Sequence, residues 1–285
     1  MPFTTIYGDG TRVVGDGNSF PQTLHPNVAN YLALVISEGY TPPIERVEAL
    51  NDLTWNLVGS GIWDKCKAIY PFIGGTTGNQ HRHNLKDPRA LTAAFMITWS
   101  VGGVTFSDNG NQGNNTSGFG NTNLIPSTHL TAATSIHISA YVNVAQTTPG
   151  TLGRLVLGAG NVGLSDLGTS PTSSNNYYTQ INNSGLINSG VNTAAFYCAN
   201  RTSNTISRLF RNGIQVGSTN ATAAVASTSA IGIHARTTSA GGGGAPYYSN
   251  SRVAFVSIGD GLSLYEQRIL YSMVQRYQIA LGRQV

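Results

Sequence analysis

The chain predicts a mainly β fold: an antiparallel sandwich that carries a small N-terminal helical module and is closed by a C-terminal amphipathic helix. Three observations point there. From about Leu91 to Ser257 the sequence breaks into short β-prone runs separated by turn residues, with no helical stretches between them. Charged residues make up only 10% of the 285, against about a quarter in an average soluble domain. The surface must therefore be built from Asn, Ser, Thr and Gly. Hydrophobic residues reach 40%, enough for a packed interior and too many for a disordered tail.

In chain order, residues 1–22 read as an extended arm or hairpin, with Gly8, Gly10, Gly15 and Gly17 between short β-prone pieces. Residues 23–80 read as the helical module. His25–Val28 opens a helix whose face is Val28, Tyr31, Leu32, Val35 and Ile36, with Gly39 as its cap. Thr41–Ile44 opens a second at two prolines, carrying a stripe of Ile44, Val47, Leu50, Leu53 and Leu57. A third short helix is expected over Ile62–Tyr70. Residues 81–285 are assigned to the sandwich. Strands are expected over 94–99, 135–144, 152–157 and 252–258. In the second of these, Ile136, Ile138, Ala140, Val142 and Val144 alternate with polar residues. Asn212–Gly213, flanked by apolar alternation, is the signature of a two-residue hairpin turn. Gly241–Gly244 reads as a flexible loop. Ser263 and Glu266 form a capping box for a final helix over 263–281, with Ile269, Leu270, Met273, Val274, Tyr277 and Leu281 on one face.

Charge and composition remove several function classes. Sixteen basic residues against twelve acidic give a net charge of +4, and no Lys/Arg cluster exists, so nucleic acid is not an expected partner. No window approaches the ~20 apolar residues of a membrane span, and no signal peptide is visible at the start. Cys66 and Cys198 are expected as two buried thiols, not a bridge. Between Asn109 and Gly259 there is a single carboxylate, Asp166, with six arginines and no lysine. Glycoside hydrolysis generally needs two carboxylates flanking the scissile bond, so a polysaccharide hydrolase ranks below a protein without enzymatic activity. His81 and His83 lie on alternate positions but lack a third ligand nearby, and an exposed polar loop is expected there. No metal or cofactor is expected: no GxSxG elbow, phosphate loop or dinucleotide fingerprint occurs.

Binding chemistry fares better. Neutral sugars stack on aromatic faces and hydrogen-bond to amides and hydroxyls. Asn175, Asn176, Tyr177 and Tyr178, with Tyr247 and Tyr248, place paired tyrosines among amides and glycines and are the candidate ligand-binding residues. In each pair, the competing structural role is one ring in the core and one on the sheet surface. The asparagine-rich stretch 109–123 reads as a long surface loop.

Several segments then carry a resemblance. The Arg211–Gly213 hairpin, the strand Arg252–Ile258, the sequence Gly259–Ser263 and a closing helix ending at Leu281–Gln284 resemble the concanavalin A-like (LamG/pentraxin-type) jelly-roll sandwich. Gly61–Gly75, Asn84–Leu91 and Asn121–Pro126 are similar to a version found in tailed-phage virion proteins. The resemblance spans about residues 60–285 and implies a structural protein exposed on the virion, as head fibre, capsid decoration or tail adhesin, made in the host cytoplasm. It implies a homotrimer, attachment to capsid or tail proteins through residues 1–60, and contact with host surface glycans.

Overall fold

The computed structural model describes residues 4–6, 12–14, 23–90, 93–147, 154–160, 164–169, 176–182, 185–188, 191–222, 225–239 and 247–285. A small hairpin, β1 (Thr4–Ile6) with β2 (Arg12–Val14), precedes three helices, α1 (Pro26–Ser37), α2 (Ile44–Gly59) and α3 (Ile62–Lys65). Then come β3 (Cys66–Tyr70), β4 (Thr98–Trp99), β5 (Val104–Ser107), β6 (Gly110–Gly113), β7 (Gly120–Asn121), α4 (Pro126–His129) and β8 (Ile136–Val144). The chain continues through β9 (Arg154–Ala159), β10 (Ser165–Thr169), β11 (Tyr177–Ile181), β12 (Ile187–Asn188), β13 (Ala195–Arg201), β14 (Ser207–Arg211) and β15 (Ile214–Thr219). It closes with β16 (Gly232–Ile233), β17 (Arg236–Thr237), β18 (Arg252–Gly259) and α5 (Leu264–Ala280).

The strands form the expected jelly-roll sandwich of two eight-stranded sheets. The front sheet runs β12-β11-β10-β9-β16-β7-β4, with β17 parallel beside β9; the back sheet runs β15-β14-β13-β8-β18-β6-β5, with β3 beside β18. One core lies between the sheets and includes Tyr70, Ile138, Leu157, Leu167, Tyr177, Tyr197 and Val256. A second lies on the other side of the back sheet. There Tyr141, Phe196, Phe210 and Phe255 meet Val28, Leu50, Leu53, Met273 and Tyr277 from α1, α2 and α5. The back sheet is thus buried on both faces, and the helices form a third layer.

Local chemistry accounts for the elements that matched expectation. Pro26 begins α1, whose cap is His25 Nδ1 accepting the Asn27 N–H at 3.2 Å. Gly39 follows at φ 85°, a left-handed position natural to glycine. In α5, Ser263 Oγ accepts the Glu266 N–H at 3.2 Å while Glu266 Oε2 accepts the Ser263 N–H at 2.7 Å. Asn212 and Gly213 sit at φ 50° and 73° between β14 and β15, as a type I′ turn requires. Both cysteines are free and buried.

Three expectations are corrected. The third helix stops at Lys65, and residues 66–70 are a strand of the back sheet. This apolar run is buried on both sides of the sheet, where periodicity does not separate strand from helix. The strand expected over 94–99 contracts to Thr98–Trp99. The Asn84 amide and the Tyr70 hydroxyl donate to the carbonyls of Ala94 and Phe95 at 3.0 and 2.6 Å, and Phe95 turns to φ 60°. The asparagine-rich stretch is not a long surface loop: β6 and β7 within it join opposite sheets, and Asn111 is fully buried. The Gly241–Gly244 loop lies outside the described residues.

The helical layer is bound to the sandwich at Gly74. Arg46 Nη1 from α2 donates to the Ile73 and Asp108 carbonyls at 2.7 and 3.0 Å. Arg283, 4% exposed, donates to the Phe72 carbonyl at 2.8 Å. A Cβ at residue 74 would collide with the Tyr40 hydroxyl, Arg46 and Asp108, so only glycine fits beneath this crossing.

Candidate functional site

The tyrosine pairs divide between interior and outer face. Tyr177 points inward and stacks on Tyr197 of the back sheet, ring centroids 3.7 Å apart and planes 8° apart. Tyr178 points outward yet is only 3% exposed. Its hydroxyl is held well above the usual phenol range, first by burial and then by the nearby Asp166 charge. Tyr247 is half-buried and lies over the Arg236 guanidinium at 4.1 Å. Tyr248 is half-buried beside Phe119, and Asn176 is half-buried. Asn175 lies outside the described residues. A ligand contact on this face would fall to Asn176, Tyr247 and Tyr248.

Asp166, the lone carboxylate of the sandwich's middle, is the anchor of this cluster. It projects from β10, fully buried, and takes Arg236 in a bidentate pair, Nε to Oδ1 at 3.1 Å and Nη2 to Oδ2. Burial raises its carboxyl to about 6, against the opposing pull of Arg236. Glycine at 160 makes room: a Cβ there would lie 2.6 Å from Arg236 Cδ. The charges, the donors and an aromatic face of this cluster are used within the protein.

The two histidines are buried, not an exposed loop: His81 is 1% and His83 2% exposed. His81 Nε2 lies 3.1 Å from the Gly75 carbonyl, with its ring stacked on Phe72, and burial lowers it to about 4. His83 Nε2 lies 2.8 Å from Glu38 Oε2. Among the described residues, no three His, Cys, Asp or Glu side chains converge as metal ligands do. A serine–histidine contact does exist. His137 Nε2 lies 3.2 Å from Ser257 Oγ, and its Nδ1 lies 2.7 Å from the Asp260 carbonyl. Both residues are fully buried, so no substrate reaches them in this conformation.

An open site lies at the β4 edge of the front sheet. Thr77, Gly78, Asn79, Arg82, Met96, Ile97, Thr98 and Trp99 enclose a hollow of about 430 Å³, within the range of about 300–1,000 Å³ that small-molecule sites occupy. A recess between α2 and α5, at about 110 Å³, falls short of it. Each wall has a local cause. Gln80 Oε1 accepts the Thr76 and Thr77 N–H groups at 2.8 and 3.1 Å, curling the 76–80 turn. Its Nε2 donates to the Glu38 carbonyl at 2.9 Å, tying that turn to the end of α1. The Ile97 N–H donates to the Arg82 carbonyl at 2.9 Å, setting the two walls side by side. Trp99 rests edge-on against Phe106 at 5.0 Å, and glycine at 120 leaves space for its ring. Trp99 Nε1 and Arg82 Nε are buried with no acceptor among the described residues, an arrangement that costs about 1–3 kcal/mol per group.

Sequence reasoning reached the edge of this hollow without finding it. It marked His81 and His83, which flank Arg82, but left Trp99 as a strand residue. The available signal was a tryptophan ending a short β run, between glycine-rich turns and within reach of a polar stretch, Thr76–His83.

No protein-family model matches the sequence, and no curated protein is similar to it. Solved structures do match. A mutant of Trypanosoma rangeli sialidase displaying trans-sialidase activity is 13% identical, over 80% of this chain and 39% of that one, with a TM-score of 0.49. The binding domain of Paraclostridial Mosquitocidal Protein 1 is 10% identical, over 74% and 52% of the two chains, at 0.44. Domain 4 of a GH43 extracellular arabinanase from Geobacillus stearothermophilus, in complex with arabinotriose, is 12% identical, over 72% and 98%, at 0.42. The chain spans 29–39% of the length of the first sialidases matched. These likenesses concern the β-sandwich fold alone. The expectation of a protein without enzymatic activity is corrected: sialidase chains and a domain of an arabinanase are among the structures matched, so the likenesses do not uphold that exclusion.

Proposed function

We propose that the chain binds carbohydrate in the hollow at the β4 edge. The observation that carries this reading is the composition of its wall. An indole, a primary amide, two threonine hydroxyls and a guanidinium surround one opening of about 430 Å³. Sugar rings offer apolar C–H faces that pack on an aromatic ring and hydroxyls that both donate and accept. Thr77, Asn79 and Thr98 are exposed, and Arg82, Met96 and Trp99 half-buried, so these groups are available to an incoming ring.

Titration with neutral oligosaccharides, followed by calorimetry and by the Trp99 indole N–H resonance, tests the reading. Saturable binding that shifts this resonance supports it. Binding that leaves the Trp99 resonance fixed and is lost in Tyr247→Ala would move the site to the Asp166 face.

Display on a phage particle, as a homotrimer held through its N-terminal region to capsid or tail proteins and contacting host glycans, is proposed on the sequence resemblance. A stable monomer at micromolar concentration by light scattering would count against the trimer. Particles that lack the chain by immunogold imaging would remove the virion setting.

A further inference from the structure

We propose that Glu38 sets the ligand class of the Trp99 hollow: by cancelling the charge of Arg82 it fits the hollow to uncharged saccharides, and without it the same hollow would select carboxylated ones. The inference rests on the carbohydrate reading above.

Among the described residues, Arg82 is the only charged side chain lining the hollow. Its guanidinium, 31% exposed at the side chain, donates from Nη2 to Glu38 Oε1 at 2.8 Å. The second carboxylate oxygen, Oε2, meets His83 Nε2 at 2.8 Å. His83 is lowered from its ordinary value by burial, with Glu38 opposing. Facing a carboxylate, its Nε2 is the donating nitrogen, and burial favours the neutral ring. Glu38, Arg82 and His83 therefore sum to zero charge. The Glu38 side chain is 14% exposed, so solvent and salt screen it weakly. An anionic ligand reaching for Arg82 meets a guanidinium already paired with a carboxylate 2.8 Å away, whose repulsion offsets part of the attraction. A neutral sugar loses nothing by this arrangement and keeps the remaining guanidinium donors.

Glu38 also has the leverage of position. It is the C-cap residue of α1, and its carbonyl holds Gln80, which shapes the 76–80 turn. Because that contact uses the backbone, exchanging the Glu38 side chain leaves the turn in place. Glu38 is a positioning and charge-setting residue that does not itself line the hollow.

The test compares Glu38→Gln with the parent chain against maltotriose and trigalacturonate, by calorimetry at two salt concentrations, with thermal melts confirming the fold. Gln keeps an oxygen to accept a hydrogen bond and removes only the charge. The parent should prefer maltotriose. Glu38→Gln should bind trigalacturonate at least tenfold more tightly than the parent does, and the gain should shrink with salt. Adding Arg82→Gln to Glu38→Gln should erase that gain. Equal parent affinity for both sugars, or no gain in Glu38→Gln, overturns the proposal while leaving the carbohydrate reading intact if Trp99→Ala abolishes maltotriose binding. If Glu38→Gln fails to fold, Arg82→Gln decides through trigalacturonate alone: binding that is weak in the parent and unchanged by the substitution supports the proposal, and parent-level trigalacturonate binding that this change abolishes overturns it. If the parent binds no saccharide of either kind, the carbohydrate reading falls, and the proposal with it.

Discussion

The front sheet carries two clusters built from the same kit, an aromatic ring, an arginine and a carboxylate, and they behave oppositely. On β10 and β17, Asp166 is fully buried, holds Arg236 with both oxygens, and leaves the guanidinium face to Tyr247. At the β4 edge, Arg82 gives one nitrogen to Glu38, and both its Nε and the Trp99 Nε1 lack acceptors among the described residues. The first cluster is closed on itself. The second borders an open hollow, and what it offers a ligand is the accessible part of that wall, the exposed Thr77, Asn79 and Thr98 with the half-buried Arg82 and Trp99. Residue type alone does not make a binding site; access from solvent does.

Four measurements break or sharpen this contrast. The largest effect belongs to Asp166→Asn, which strands the Arg236 charge. It should cost about 3–5 kcal/mol in urea unfolding while leaving saccharide affinity unchanged. Lost binding with stability intact would reverse the assignment of the two clusters.

Acid separates them next. His81, behind the hollow, and the buried His137 are both lowered to about 4. The unfolded chain therefore takes up protons first as pH falls below about 6.5, and stability drops toward pH 4, each histidine giving up about 1.4 kcal/mol for every pH step of one. Asp166, raised to about 6, works the other way: the folded state binds its proton first, and its unfavourable contribution fades as pH falls through 6. A circular-dichroism titration should show net acid destabilisation, flattened by His81→Gln. Stability that rises from pH 6.5 to 4 would refute the histidine account.

Trp99→Ala should weaken saccharide binding at least tenfold, about 1.4 kcal/mol, beyond the melting-temperature loss expected from removing its packing on Phe106 and the inter-sheet core. The smallest effect is expected for Tyr247→Ala. Loss of the ring over Arg236 should cost about 0.5–1 kcal/mol of stability and nothing in binding at the hollow.

How much of this was legible in the sequence follows from the range of the interactions. Asn212–Gly213 and the Ser263–Glu266 box are local, and each formed as its residues dictate; the alternation along β8 marks the strand, but the polar face it assigns to solvent is buried, His137, Ser139 and Tyr141 included. Asp166 could be counted but not placed, since its partner is 70 residues away. His83 looked exposed because Glu38, which draws it inward, lies 45 residues earlier. The Trp99 hollow needs residues 38, 77–82 and 96–99 together, with glycine at 120 to clear the ring. No window of sequence contains that set. The division of Tyr177 from Tyr178 was readable as strand alternation, but the ring beneath Tyr177 is Tyr197, in the opposite sheet.

The crossing at Gly74 has a practical consequence for anyone trimming the gene. Arg46 and Arg283 grip the carbonyls of residues 72, 73 and 108 like rivets through two plates. A fragment cut at residue 81 to isolate the sandwich would discard one rivet, both long N-terminal helices and β3. It would leave only α5 over the aromatic side of the back sheet, where Phe196, Phe210 and Phe255 lie. Such a fragment should collect in inclusion bodies, whereas one that starts at residue 23 keeps the plates fastened.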